Sequence, residues 1–165
     1  MGHQASLPYY IYKSHKEYGR KKMSHQPQVQ NVLTLATALI VNTRKQVLLV
    51  RKKGTTAFMQ AGGKIAPQET PLEALIRELK EELDYTITPQ DADYIGCFTA
   101  PAAHEPGYML AAHCYLITCT QPLSAQAEIE ETIWVDPFSF PSVPLAPLTQ
   151  EHILPLARHL LSNAG

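Results

Sequence analysis

Residues 70–84, TPLEALIRELKEELD, leave this chain little choice of local structure. Thr70 suits a helix N-cap, Pro71 the first helical position, and Glu73 completes a T-x-x-E capping box. At helical spacing Leu72, Leu75, Ile76, Leu79 and Leu83 then share an arc of about 100°, the width of a stripe that packs on a core. Asp84 can take the left-handed conformation that ends a helix. Glu78, Glu81 and Glu82 occupy another side, Glu81 about 60° to one flank of Glu78 and Glu82 about 40° to the other. Like charges one turn apart cost an isolated helix about 0.2–0.5 kcal/mol per pair. Three carboxylates so placed either spread into solvent as an ordinary acidic face or are neutralised. A hard divalent cation held by oxygen ligands is the natural neutraliser.

The rest of the chain must supply something for the leucine stripe to cover. With 165 residues it fits one domain with a real core, and 45% hydrophobic against 18% charged residues reads as globular. The net charge of -1 gives no general attraction to nucleic acid or to anionic membrane. No apolar run approaches the ~18 residues of a membrane span, and no leader-like segment opens the chain, so the expected address is the cytoplasm. Cys97, Cys114 and Cys119 form no CxxC pair and read as buried apolar residues of a reducing compartment rather than disulfides or a zinc site.

Residues 1–31 form a polar extension with a short basic and aromatic cluster, expected to be flexible or dimer-forming ahead of a domain over 32–165. Too short for a nucleic-acid arm and without a recognition motif, the cluster does not change the partner expected, which is a small molecule. Val32–Val41 and Gln46–Arg51 read as a hairpin around Asn42–Lys45. After the helix, Tyr94–Ala100, Tyr108–Thr118 and a short Thr132–Val135 read as strands, 137–147 as a proline-rich loop, and Thr149–Ser162 as a last helix disturbed at Pro155. This order predicts an α/β fold, a mixed sheet sandwiched between helices.

Gly63, Glu69, Arg77, Glu78, Leu79, Glu81 and Glu82 stand in the register G-x5-E-x7-R-E-L-x-E-E, which resembles the signature box of the Nudix hydrolases. Two positions depart from it: Asp84 replaces a glycine and Ala61 a proline. The resemblance implies a MutT-like α/β/α sandwich and Mg²⁺- or Mn²⁺-dependent hydrolysis of a nucleoside diphosphate linked to another group. It implies metal ligation by Glu78, Glu81, Glu82 and the Gly63 carbonyl, with Glu78 or Glu81 handling the water. Arg77 would pin the carboxylates, and Glu69 would tie the loop to the helix. The glycine pair Gly62–Gly63 allows close backbone approach to phosphates. It is no P-loop, since Phe58 and Ile65 stand where that motif needs Gly and Ser or Thr.

Outside the box, Glu128 and Glu131 are candidates for a further metal-binding or base carboxylate, as the resemblance implies for this region. Arg51 and Lys52, at a strand end, are candidates for phosphate contact or an ordinary solvated end, and Phe58 and Tyr108 for stacking on a base or, the reading preferred, for core packing. His104 and His113 have no partner at metal-ligand spacing and receive no role. The expected substrate is a nucleotide or nucleoside triphosphate. ADP-ribose or a nucleotide sugar is the alternative, prompted by Pro101 at sixteen residues past Tyr85. A non-catalytic nucleotide- or RNA-binding sensor is a third reading. A homodimer formed through sheet edges or residues 1–31 is also expected.

Overall fold

A computed structural model describes residues 31–164. The role expected of the N-terminal extension falls on 1–30, outside the described residues, and Asn31 already belongs to the first strand. Strand β1 (Asn31–Asn42) turns through a tight loop into β2 (Val47–Lys52). Asn42 Oδ1 builds that turn by accepting from the amides of Arg44 and Gln46 at 3.0 Å each. Then come β3 (Gly62–Lys64), helix α1 (Pro71–Leu83), β4 (Asp93–Pro101), β5 (Tyr108–Cys119), β6 (Ile129–Val135) and helix α2 (Leu154–Ser162).

The strands form one mixed sheet in the order β4-β5-β1-β2-β6, with β3 on β1. β1 runs parallel to β5 along its whole length and antiparallel to β2 and β3. Alternation along the strands sorts side chains to the two faces. Ala36, Ala38, Ile40, Leu48, Val50 and Ile117 pack with Leu75, Leu79 and Leu83 of α1. Leu39, Val41, Val47, Leu49 and Cys114 pack with Ile153, Leu154 and Ala157 on the α2 side. The predicted sandwich is the one observed.

Helix α1 starts and stops where its sequence directs. Thr70 Oγ1 accepts from the Glu73 amide at 3.2 Å, and Glu73 Oε2 accepts from the Thr70 amide at 2.8 Å. Asp84 ends the helix at φ 49°, ψ 34°, its amide donating to the Leu79 carbonyl. Several strand ends lie one residue from expectation, and two differences are larger. β6 begins at Ile129 rather than Thr132, because an irregularity in its pairing beside Arg51 and Lys52 turns Ile129 into the core and leaves the neighbouring glutamates outside. The disturbance expected at Pro155 is realised just before it: Thr149–Ile153 form a widened turn in which the Leu154 amide donates to the Thr149 carbonyl. All three cysteines are free, as expected; Cys114 and Cys119 are buried, but Cys97, expected to be buried as well, is exposed on β4.

Candidate active site

The capping box fixes where α1 begins, and β3 lies against its carboxylate side. Gly62 and Gly63 make that approach possible. Gly62 holds φ 143°, and a Cβ there would stand 2.1 Å from the Ala36 carbonyl oxygen. A Cβ on Gly63 would stand 2.4 Å from Cδ of Glu78, so the Glu78 carboxylate fills the space that a side chain would take.

Arg77 organises the acidic face. Its Nε and Nη2 donate to the two oxygens of Glu69 at 2.8 and 2.9 Å, a bidentate pair that ties the loop to the helix. Nη1 donates to Glu78 Oε1 at 2.7 Å, Nη2 reaches the Lys64 carbonyl at 3.2 Å, and Glu81 Oε2 stands 3.6 Å away. Hydrogen bonds from Arg77 and from the Ala66 amide pull the Glu69 carboxyl down to about 2. The arginine itself is held well above its ordinary value by Glu69 and Glu78.

Glu82 departs from the solvent-facing trio that its spacing suggested. It is 1% exposed, lodged among core residues, with Oε2 accepting from the Gly62 amide at 3.0 Å. Oε1 is buried and has no partner among the described residues. Burial raises its pKa to about 8, against the opposing pull of the Gly62 amide and of the Lys52 charge. Lys52 pairs with Glu128 at 2.9 Å. Burial opposes the Lys52 charge, but Glu128, Glu82 and Glu78 together push its pKa up.

A cleft of about 410 Å³ has Gly62, Gly63, Lys52 and Glu128 in its walls, whereas Glu69, Arg77, Glu78, Glu81 and Glu82 do not line it. Its far wall comes from the start of β1 and from residues 101–105, and a Lys64–Glu105 pair at 3.2 Å joins β3 to that loop. The other substrate candidates lie elsewhere. Phe58, a candidate for base stacking as well as for the core, is 4% exposed and spent on the α2-side core, with Arg51 lying over its ring at 5.8 Å from the centroid. Arg51 is engaged by Glu131 at 3.0 Å and by the Thr55 carbonyl. Tyr108 is half-buried at the start of β5 and does not line the cleft. Gln60, Lys53 and His104 do line it and received no role from the sequence. Only the nearness of Gln60 to the glycine pair could have marked it.

A family model for the NUDIX domain matches residues 33–157. The chain belongs to the Nudix family.

Among Nudix relatives, the chain is 41% identical over 59 residues to an RNA pyrophosphohydrolase of Alkalilimnicola ehrlichii, 36% of this chain and 32% of that protein. The chain thus spans about a third of that relative's length. It is 27% identical over 106 residues to a Bacillus subtilis protein provisionally named an 8-oxo-dGTP diphosphatase, 64% of this chain and 68% of that one. The fold matches the MutT protein of Methanosarcina mazei with a TM-score of 0.67 at 20% identity, over 81% of this chain and 97% of that one. It matches an Ap4A hydrolase of C. elegans at 0.64 and 16% identity, over 79% and 98%.

Two features of this Nudix site fit a hard divalent cation: the buried, unpartnered Oε1 of Glu82, and the side-chain-free approach of Gly63 to Glu78. Among the described residues no three His, Cys, Asp or Glu side chains are already gathered as a ligand cluster. Glu78 is paired with Arg77 instead, and Glu81 Oε2 stands 3.6 Å from the same guanidinium. Among the described residues no helix is long and apolar enough to cross a membrane.

Proposed function

We propose that this chain hydrolyses a nucleoside diphosphate linked to another group, a nucleotide or nucleoside triphosphate, by attack of water on phosphorus. The observation that carries this reading is Glu82: a carboxylate buried to 1% exposure with one oxygen free, beside Glu78 and the Gly62–Gly63 backbone. A fold does not bury such a group for stability. It suits a site in which positive charge is to be supplied.

Glu78, Glu81, Glu82 and the Gly63 carbonyl would hold Mg²⁺ or Mn²⁺. Such a cation, when bound, neutralises diphosphate oxygens and makes water more acidic. Glu128 is a further candidate ligand at the cleft, currently paired with Lys52. Glu81 is the most exposed of the trio, with its side chain 55% exposed, and is the group best placed to accept the proton of the attacking water at a carboxylate oxygen. Arg77 keeps Glu78 and Glu69 in fixed orientation, which lowers the cost of arranging the site at the moment of reaction. Lys52 and Lys53, at the cleft wall, offer charge to phosphate oxygens. The relatives' names give RNA and a deoxynucleoside triphosphate as substrates, and both contain nucleotides. A second reading, ADP-ribose or a nucleotide sugar, is favoured by Pro101, which lines the cleft.

The test is release of phosphate or pyrophosphate with Mg²⁺ from a panel of nucleoside triphosphates, 8-oxo-dGTP, Ap4A, ADP-ribose, nucleotide sugars and triphosphate-capped RNA. Glu81→Gln is expected to abolish turnover and leave the thermal melting point unchanged. Full turnover by that variant refutes the catalytic assignment. Tight binding of one ligand with no turnover of any would identify a sensor instead.

A further inference from the structure

Arg51 and Lys52, side by side at the end of β2, are sent to opposite faces of the sheet. Alternation puts Arg51 with Val47 and Leu49 on the α2 side, where it lies over Phe58 and is bound to Glu131 and to the Thr55 carbonyl. Lys52 follows Leu48 and Val50 to the α1 side, the side of Glu82. Its Nζ donates to Glu128 Oε1 at 2.9 Å, and the charges of Glu82 and Glu78 bear on the same ammonium. The backbone holds Glu128 over this lysine from two sides. The Lys53 amide donates to the Glu128 carbonyl and the Gln126 amide to the Glu82 carbonyl, each at 2.8 Å. Between them Ala127 takes a φ of 51°, a left-handed value disfavoured for an L-residue. An ion pair whose side chains are 31% and 56% exposed adds little stability, so stability does not account for this strained delivery of Glu128. One ammonium serves three carboxylates, each a candidate ligand of the cation proposed above.

We infer that Lys52 competes with the cation for these carboxylates and, once displaced from Glu128, pairs with a phosphate oxygen of the substrate, so that cation and diphosphate bind cooperatively. This rests on the metal-dependent hydrolase reading above. A cation brought among Glu78, Glu82 and Glu128 meets the Lys52 charge, and the two repel. Lysine is suited to yielding, because its charge is compact and its long stem is flexible, so the head can move while β2 stays in place. Arg51, bound through Nε, Nη1 and Nη2, is not free to do so. The wall that holds Lys52 also holds Gly62 and Gly63, so a diphosphate lying along the glycine pair shares its cavity with the lysine. Lys52 is thus a positioning residue whose partner changes with occupancy. The cation frees a donor for the phosphate, and linkage makes the effect reciprocal.

The test is calorimetric binding of Mn²⁺ to the full chain, alone and with methylene diphosphonate, a diphosphate analogue that water does not cleave. Lys52→Met is expected to bind Mn²⁺ about 10-fold more tightly than the native chain, a typical size for coupled sites. In the native chain Mn²⁺ is expected to tighten diphosphonate binding, and in Lys52→Met that gain should fall by about 10-fold. Lys52→Arg, which keeps the charge, is expected to bind Mn²⁺ no more tightly than the native chain. Lys53→Met removes an exposed charge from the same wall and is expected to leave Mn²⁺ affinity within about twofold. Mn²⁺ affinity that is unchanged or weaker in Lys52→Met, or tightened equally by Lys53→Met, overturns the inference. Hydrolysis of nucleotides alongside either result overturns it alone. Failure of Mn²⁺ to bind native chain and variant overturns it together with the metal site. The expected coupling without hydrolysis of any nucleotide supports Lys52 and overturns the hydrolase reading.

Discussion

Replacing Glu82 by glutamine should make the metal-free protein more stable at pH 8, although the residue sits in the site. Its carboxyl titrates at about 8 in the fold against an ordinary 4.5, chiefly because it is buried. A folded-state pKa raised above the unfolded one means that the native chain binds the extra proton between those two values. The stability contributed by this group is therefore fully present below pH 4.5 and is lost as pH rises toward 8. At about 1.4 kcal/mol per pH unit the loss is roughly 5 kcal/mol at most, and water penetration reduces it to a few kcal/mol. Glutamine keeps an oxygen for the Gly62 amide and never ionises. Urea unfolding in EDTA at pH 5 and pH 8 is the assay. Native protein should lose a few kcal/mol between the two, Glu82→Gln should lose far less, and the variant should exceed the native chain at pH 8. Millimolar Mg²⁺ should restore the native protein at pH 8 by binding the folded state alone, and should leave the variant nearly unaffected. Glu69 does not confuse the window, since its depressed pKa matters only below 4.5. A native stability that is flat or rising from pH 5 to 8 in EDTA would refute the burial argument. A variant less stable than native at pH 8 would do the same.

Gly63→Ala is expected to fold, since the atoms nearest the new Cβ are the end of the Glu78 side chain and not backbone, but to lose about 100-fold or more in turnover as that carboxylate is forced out of its Arg77 clamp. Gly62→Ala should fail to accumulate as folded protein, because its clash is with the Ala36 backbone at a φ of 143°; circular dichroism and turnover assays separate the two outcomes. Thr70→Ala removes the cap of α1 and is expected to cost about 1 kcal/mol, lowering the melting temperature by about 2–4 °C.

What could be read in advance was whatever local chemistry dictates. The capping box at Thr70, the left-handed Asp84 and the leucine stripe of α1 all depend on residues within a few positions of one another, and each is found as expected. The hairpin and the two-faced sheet follow from alternation in β1 and β2, which sorts Leu48 and Val50 to one helix and Val47 and Leu49 to the other. Side chains that answer to distant partners were not legible. Phe58 could be read for base stacking as well as for the core, because nothing nearby in the chain shows the α2-side core that takes its ring. Gln60 looked unremarkable because the hydroxyl that claims half of its amide is 89 residues away.

Glu82 is the instructive case, since its spacing carried the answer in a form easily misjudged. On the helical wheel it lies about 40° from Glu78 but only about 20° from Leu75, at the edge of the apolar stripe. A side chain at that edge is drawn inward as soon as α1 packs on the sheet, whatever its charge, because Leu75, Leu79 and Leu83 on the same side are all fully buried. The three carboxylates are therefore unlike one another. Glu81 stays in water, Glu78 is clamped by Arg77, and Glu82 is carried into the core with one oxygen bonded and one bare. Burial lifts the Glu82 carboxyl above its ordinary value, so the helix does not carry three equivalent glutamates. On the proposed reading, that inequality would leave Glu82 for a cation and Glu81 for the proton of the attacking water.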